Sequence, residues 1–269
     1  EGVAVEVLHV RTLRPGRRPF RAGHRDGVPV VRLALPFLPG RLAGKMKGPL
    51  DHHLLAAGGH LLARRWRNVD VIHSVGISLI GSAMSSWARR LQVPHVVQLI
   101  TDPETALSAV GRGALSACSA WWHGVSCNSE YVAREIRRLA PAAPNVRRIY
   151  RGVDLALFRR DQSDAARSKV RFLFLGGFPS YPRGGVSANT KGGETLVAAW
   201  QRVEAELQEA GATLLVTGPE AERRVPPWRS GLRHPDAVTV LPQVEPSAVP
   251  ALLRAADVVV VPSLQEGLP

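Results

Sequence analysis

The chain has 269 residues, 45% of them hydrophobic, with 35 Lys and Arg against 22 Asp and Glu for a net charge of +13. At ~150 residues per domain this length suggests two domains, and the apolar content is that of packed cores rather than a disordered tract. No apolar run approaches the ~20 residues of a membrane-crossing helix, and the two cysteines, Cys118 and Cys127, lack metal-ligand spacing and are too few for a disulfide framework.

The charge is lopsided. Residues 1–165 carry 24 Lys and Arg against 12 Asp and Glu, and residues 166–269 carry 11 against 10, so the net charges are +12 and +1. Such a field attracts anions. Anionic lipid and an anionic acceptor are the candidates, with the arginine bias of a high-GC, bacterial-like genome as the competing explanation. Nucleic acid ranks last, because the cations are not interleaved with aromatics and no binding motif accompanies them. The cysteines fit buried thiols in a reducing, cytoplasmic compartment.

In chain order, strand-like runs lie near 3–10, 28–35, 69–73, 94–100, 124–127 and 146–150. They resume near 170–175, 213–217, 237–241 and 257–261. Helical patterns separate most of them, among them Asp51 to Trp66, Ser129 to Leu139 and Gly192 to Glu209. In the last of these, Leu196, Trp200, Val203 and Leu207 fall at helical spacing. Alternating strands and helices imply parallel sheets with right-handed crossovers. The polar stretch Arg159 to Ser168 reads as the boundary, which predicts domains at 1–165 and 166–269.

Two segments carry chemistry. Val258-Val259-Val260-Val261 reads as a parallel strand buried on both faces, running into Pro262-Ser263-Leu264-Gln265-Glu266-Gly267-Leu268-Pro269. A carboxylate beside glycine at a strand's carboxyl end is where open parallel sheets bind ligands, although an ordinary strand-to-helix turn reads the same way. Val170 to Leu175 is a second such strand, ending in Gly176-Gly177. After a loop, Lys191-Gly192-Gly193 opens a helix. Glycines, a helix N-terminus and a lysine make an anion site. The spacing is neither that of a P-loop nor that of a dinucleotide fingerprint.

Taken together, Gly176-Gly177, Lys191-Gly192, Val216-Thr217-Gly218-Pro219 and Pro262 to Pro269 resemble, in order and spacing, the C-terminal half of the family 4 retaining glycosyltransferases. In the first half, Asp70-Val71-Ile72-His73, Val93 to Val97, Ser126-Cys127-Asn128-Ser129-Glu130 and Gly152-Val153-Asp154 to Phe158 resemble the same family. The resemblance implies an α/β chain of the GT-B fold, two Rossmann-like domains facing across a cleft, the first on the acceptor side and the second binding the nucleotide sugar. It also implies that both domains are incomplete here. Residues 3–10 read as the second strand of a doubly wound domain, and the family's second acid would fall at position 274, beyond Pro269.

The implied reaction is sugar transfer with retention from a UDP-, GDP- or ADP-sugar to a glycan or lipid-linked acceptor, without metal or cofactor. Lys191 and Glu266 take the catalytic places, Lys191 on the diphosphate and Glu266 on the sugar hydroxyls. Gly176, Gly177, Arg183, Gly218, Pro219, Ser263, Gly267 and Leu268 line the donor. His73, Thr101 and Asp102 stand on the acceptor side, Asp102 also fitting a helix N-cap before Pro103. A lipid-linked acceptor would make the protein peripheral at the inner membrane leaflet.

Two departures from the family pattern stand out. Gly-Arg is replaced by Gly176-Gly177, leaving Arg183 either as the substitute cation or as a solvated loop residue. The histidine after the Val96-Val97 strand is absent. A non-catalytic nucleotide-sugar or glycan binding module therefore stays open as an alternative, and a UDP-N-acetylglucosamine epimerase shares the fold but not the ending from Pro262 to Gly267.

Overall fold

The computed structural model describes residues 3–12, 20–35, 66–76, 79–104, 112–159, 169–178, 189–264 and 266–267. The expected helix from Asp51 to Trp66 lies, but for its last residue, outside them. Internal contacts divide the chain into two units, residues 1–150 and 151–269.

The first unit opens with β1 (Val7–Thr12), β2 (Phe20–Arg25) and β3 (Val28–Leu35), in the order β1-β3-β2. β1 is parallel to β3, whereas β2 and β3 form an antiparallel hairpin. Its turn is Asp26-Gly27, with φ of 52° and 78°, the left-handed pair that a two-residue hairpin needs. β2 is absent from the sequence reading because Phe20 to Arg25 is mostly polar and exposed; Asp-Gly was its signal. β1 also starts four residues later than expected.

A second sheet follows, with all strands parallel in the order β4-β5-β6-β7. These are β4 (Ile72–Val75), β5 (His95–Leu99), β6 (Gly124–Cys127) and β7 (Val146–Arg148). The described strands of this half thus make two sheets rather than one doubly wound sheet. Among the described residues, three helices connect the second sheet: α1 (Leu79–Leu91), α2 (Arg112–Ser119) and α3 (Glu130–Leu139). The Ser129 hydroxyl accepts from the Val132 amide at 3.2 Å and caps α3. Val132, Ala133, Ile136 and Leu139 then fall on one face and pack with Val97, Leu99, Val125 and Cys127. Both cysteines are free and buried, and burial pushes each thiol up to about 11.

The second unit is one parallel sheet in the order β10-β9-β8-β11. Its strands are β8 (Arg171–Phe174), β9 (Thr213–Val216), β10 (Val238–Val240) and β11 (Val258–Val259). The helices are α4 (Gly193–Arg202), α5 (Glu204–Glu209), α6 (Ala221–Arg229) and α7 (Val249–Ala255). The expected single helix from 192 to 209 is two. The backbone leaves helical geometry at Val203, whose φ and ψ are −116° and 20° and whose amide bonds the Trp200 carbonyl. The core gathers Phe174, Phe178, Leu196, Trp200, Leu214, Val216 and Val225.

β11 differs from its expectation of burial on both faces. Val258 is 40% exposed, Val259 44% and Val261 58%. The reason is position: among the described residues β11 is an edge strand paired to β8 alone, and its pairing runs for two residues. A β-branched run signals a strand but does not say how many layers cover it.

In the first unit, His95 is fully buried, with Nε2 2.9 Å from the Ser74 hydroxyl and Nδ1 3.1 Å from the Ser85 hydroxyl. The Trp122 indole N–H donates to Ser85 at 3.2 Å. Desolvation, with smaller contributions from His123 and His73, lowers the imidazole pKa to about 4 from an ordinary 6.5. Below pH 6.5 the unfolded chain therefore takes up a proton that the folded chain refuses until about pH 4. Stability from this group should fall as pH drops through that window, by at most about 3 kcal/mol. Urea unfolding between pH 7.5 and 4 checks this, and His95→Gln should flatten that part of the profile.

Candidate functional site

The strand order fixes where a ligand can sit. From β8 the chain steps outward to β9 and β10, then returns to the other side of β8 as β11. The reversal leaves a crevice beyond the carboxyl ends of β8 and β11. A cavity of about 390 Å³ lies there, lined by Phe174, Leu175 and Gly176 from β8 and its turn, Val259 to Val261, Ser263 and Glu266 from β11 and its turn, Lys191 before α4, and Pro219 after β9.

Inside it the Lys191 ammonium meets the Glu266 carboxylate, Nζ to Oε1 2.6 Å, with side-chain exposures of 36% and 24%. Lysine at a helix N-terminus stands against the helix dipole; the carboxylate offsets that and holds the side chain over the cavity. α4 is capped from a residue that the sequence reading missed. Asn189 Oδ1 accepts from the Glu194 amide at 2.9 Å, and its Nδ2 donates to Thr195 Oγ1 at 3.1 Å. An asparagine four residues ahead of a helix was the available signal. One first-turn amide is thus already occupied within the chain.

The glycines are where turns cross. Gly177 has φ +60°, and a Cβ there would come within 2.5 Å of the Pro219 backbone N and O. Gly218 has φ +119°, and its Cβ would come within 2.8 Å of the Leu175 carbonyl oxygen. The Phe178 amide bonds the Pro219 carbonyl at 2.7 Å, and Thr217, 1% exposed, donates its hydroxyl to the Pro242 carbonyl at 2.5 Å. These contacts give the first departure from the family pattern a physical reason. Where Gly-Arg is usual, the backbone at Gly177 has no room for any side chain.

Of the residues expected at the donor, Lys191, Glu266, Gly176, Pro219 and Ser263 meet at one cavity. Gly177 and Gly218 form the crossing turns behind it, and Gly267 is buried next to Glu266. Arg183 and Leu268 lie outside the described residues. On the first unit, His73 is an exposed residue of β4 and Thr101 is exposed after β5. Asp102 is 4% exposed, and its Oδ1 accepts from the Glu104 amide at 3.4 Å and the Tyr131 hydroxyl at 3.0 Å, which is the N-cap arrangement. Among the described residues, no group of three or more His, Cys, Asp or Glu could hold a metal ion.

Residues 1–157 match the family model described as Glycosyltransferase Family 4. The chain belongs to glycosyltransferase family 4. Residues 166–269 of this family 4 chain match a second model, Glycosyl transferases group 1. No curated protein sequence matches it. Among solved structures, sucrose-phosphate synthase from Thermosynechococcus elongatus is similar at 21% identity and a TM-score of 0.66, over 98% of this chain and 67% of that one. Anabaena HepE in complex with UDP and glucose is similar at 16% identity and 0.57, over 87% and 60%. The trehalose-phosphate synthase of Burkholderia xenovorans in complex with glucose-6-phosphate is similar at 13% identity and 0.64, over 97% and 72%. The family 4 chain therefore spans about 60–72% of the length of these proteins, and its fold class is GT-B.

Two outcomes follow for the family 4 site. Gly177→Arg should collide with the Pro219 backbone. It should destabilise by about 1–3 kcal/mol from the left-handed backbone alone, more with the Pro219 collision, as chemical denaturation will read. Removing the half-exposed ion pair through Lys191→Ala should cost the ligand-free protein no more than about 1 kcal/mol, read in the same way.

Proposed function

We propose that the full-length protein transfers a sugar from a nucleoside-diphosphate sugar to a hydroxyl acceptor, with retention and without a metal. Family membership and the cavity at the β8–β11 reversal support this reading, and the observation that carries it is the convergence of Lys191 and Glu266. Ground-state binding needs a cation for the diphosphate and an acceptor for sugar hydroxyls, and these two residues are one of each, side by side. On entry of the donor, its diphosphate displaces Glu266 from Lys191. The ammonium then neutralises charge that grows on the departing β-phosphate oxygen as the glycosidic C–O bond breaks. The freed Glu266 carboxylate accepts hydrogen bonds from the sugar hydroxyls and orients the ring for attack. The acceptor hydroxyl loses its proton to a donor phosphate oxygen on the same face, so no enzymic nucleophile is needed. UDP and glucose in HepE, and glucose-6-phosphate in the Burkholderia synthase, make a UDP-sugar donor and a sugar-phosphate acceptor reasonable first substrates.

Lys191→Ala and Glu266→Ala should each lower transfer by roughly a hundredfold or more at saturating donor, the range for losing one contact to developing charge. Near-normal turnover in either variant removes that residue from the mechanism. Release of UDP, GDP or ADP from the matching sugar by wild-type protein separates this reading from a non-catalytic module, which would bind without turnover.

For the acceptor, the +12 charge of residues 1–165 supports a lipid-linked substrate at an anionic leaflet. The described surface tempers it, since Arg134, Arg137, Arg138 and Arg148 are engaged with Glu104, Glu130 and Glu135. Each unpaired cation near such a surface contributes about 1 kcal/mol, weakened by salt. Full-length protein should co-sediment with anionic vesicles at low salt and leave them at high salt. Equal weak binding to neutral vesicles points to a soluble acceptor instead.

A further inference from the structure

Lys191 and Glu266 are 75 residues apart in sequence, on two turns that touch at one backbone crossing. Gly192, buried, has φ 72° and ψ 21°. A Cβ at this position would run into the backbone carbonyl of Pro262. Two residues along the second turn, the Leu264 amide donates to the Thr190 carbonyl at 3.0 Å. The crossing is braced from behind, because a Cβ on Gly193 would meet the Phe178 ring at 2.5 Å and the Gly177 carbonyl oxygen at 2.9 Å. The two chain segments are therefore in backbone contact at Gly192 and at Thr190, and the charged pair projects from that contact.

We propose that Gly192 is a positioning residue whose missing side chain lets the Pro262 carbonyl seat against the helix start, and that this clasp sets the spacing of Lys191 and Glu266. A left-handed cap that merely starts α4 would need glycine for its φ alone. The clasp needs it for the absent Cβ. The inference rests on the donor-site reading given above.

The full-length protein tests this with Gly192→Ala, Gly192→Asn and Gly211→Ala. Gly211 has a similar φ of +63°, but a Cβ there meets nothing closer than the Lys169 side chain at 3.4 Å. Gly211→Ala thus carries the backbone strain without a collision. Asparagine tolerates the left-handed region, so Gly192→Asn relieves the strain and keeps the collision. The first readout, native-state exchange of the Leu264 amide, needs no ligand. Exchange should speed at least tenfold in both Gly192 variants and stay at the wild-type rate in Gly211→Ala. The second is binding of a UDP-, GDP- or ADP-sugar, which should weaken at least tenfold in the same two variants. Adding Lys191→Ala to Gly192→Ala should then weaken it little further.

Wild-type exchange and binding in Gly192→Asn reduce the role to φ and overturn the clasp. If Gly192→Ala does not fold, Pro262→Gly loosens the carbonyl from the other side. It should speed Leu264 exchange and weaken donor binding, and an unchanged protein again overturns the inference. Absence of donor binding by the wild type would count against the donor-site reading, while Leu264 exchange still decides the clasp.

Discussion

The second unit depends on backbone approaching backbone at the carboxyl ends of its strands. The turn after β8 crosses the turn after β9 at Gly177 and Gly218, and the start of α4 crosses the turn after β11 at Gly192. None of these crossings leaves space for a side chain. Four segments far apart in sequence are thereby brought to one rim, and the cavity is what the sheet reversal leaves inside it. The rim can present charged groups at short range because what holds it is not charge. Hydrogen bonds between main-chain atoms and the exclusion of Cβ atoms fix the frame, and Lys191 and Glu266 pair within it.

The parallel sheet of the first unit is held differently. Its helices cover β5 and β6 with an apolar cluster, and the buried imidazole of His95 is satisfied on both nitrogens by serines from β4 and α1. Such a network favours one register of β4 against β5, since a slip of one residue would turn Ser74 to the opposite face. The same burial is the ground for expecting this half to lose stability in acid, whereas the crossings of the second unit are made by main-chain atoms and glycines.

Much of the fold was legible in the sequence where hydrophobic runs were short and bounded. β6 agrees with its expected limits, the helix expected from Ser129 to Leu139 is α3 with Ser129 as its cap, and β8 and β9 differ from expectation by a residue at most at each end. The misses have physical causes. β2 is polar, so periodicity was silent, and only Asp26-Gly27 marked the hairpin. Val203 continued a helical pattern in which backbone geometry broke. Val258 to Val261 looked buried because residue type reports a preference for strand and not the presence of a second layer. At the site, Lys191 and Glu266 could be picked out by chemistry and by resemblance. Asn189 was marked only by its place ahead of a helix, and the role of Thr217 was not marked at all, because its partner, the Pro242 carbonyl, is a main-chain atom from a distant segment whose approach no side-chain pattern encodes.

The crossing at Gly177 and Pro219 also bears on how such a chain can change over generations. An arginine restored at 177 would enter a left-handed turn already occupied by the neighbouring backbone, so that substitution alone passes through a destabilised intermediate. Reshaping the Gly218-Pro219 turn first would leave Gly177 without the wall against which it now packs. The two turns are thus epistatic, each making the other's reversal harder. A lineage that settled into this geometry would gain a further cation more readily at a different place around the cavity than at position 177.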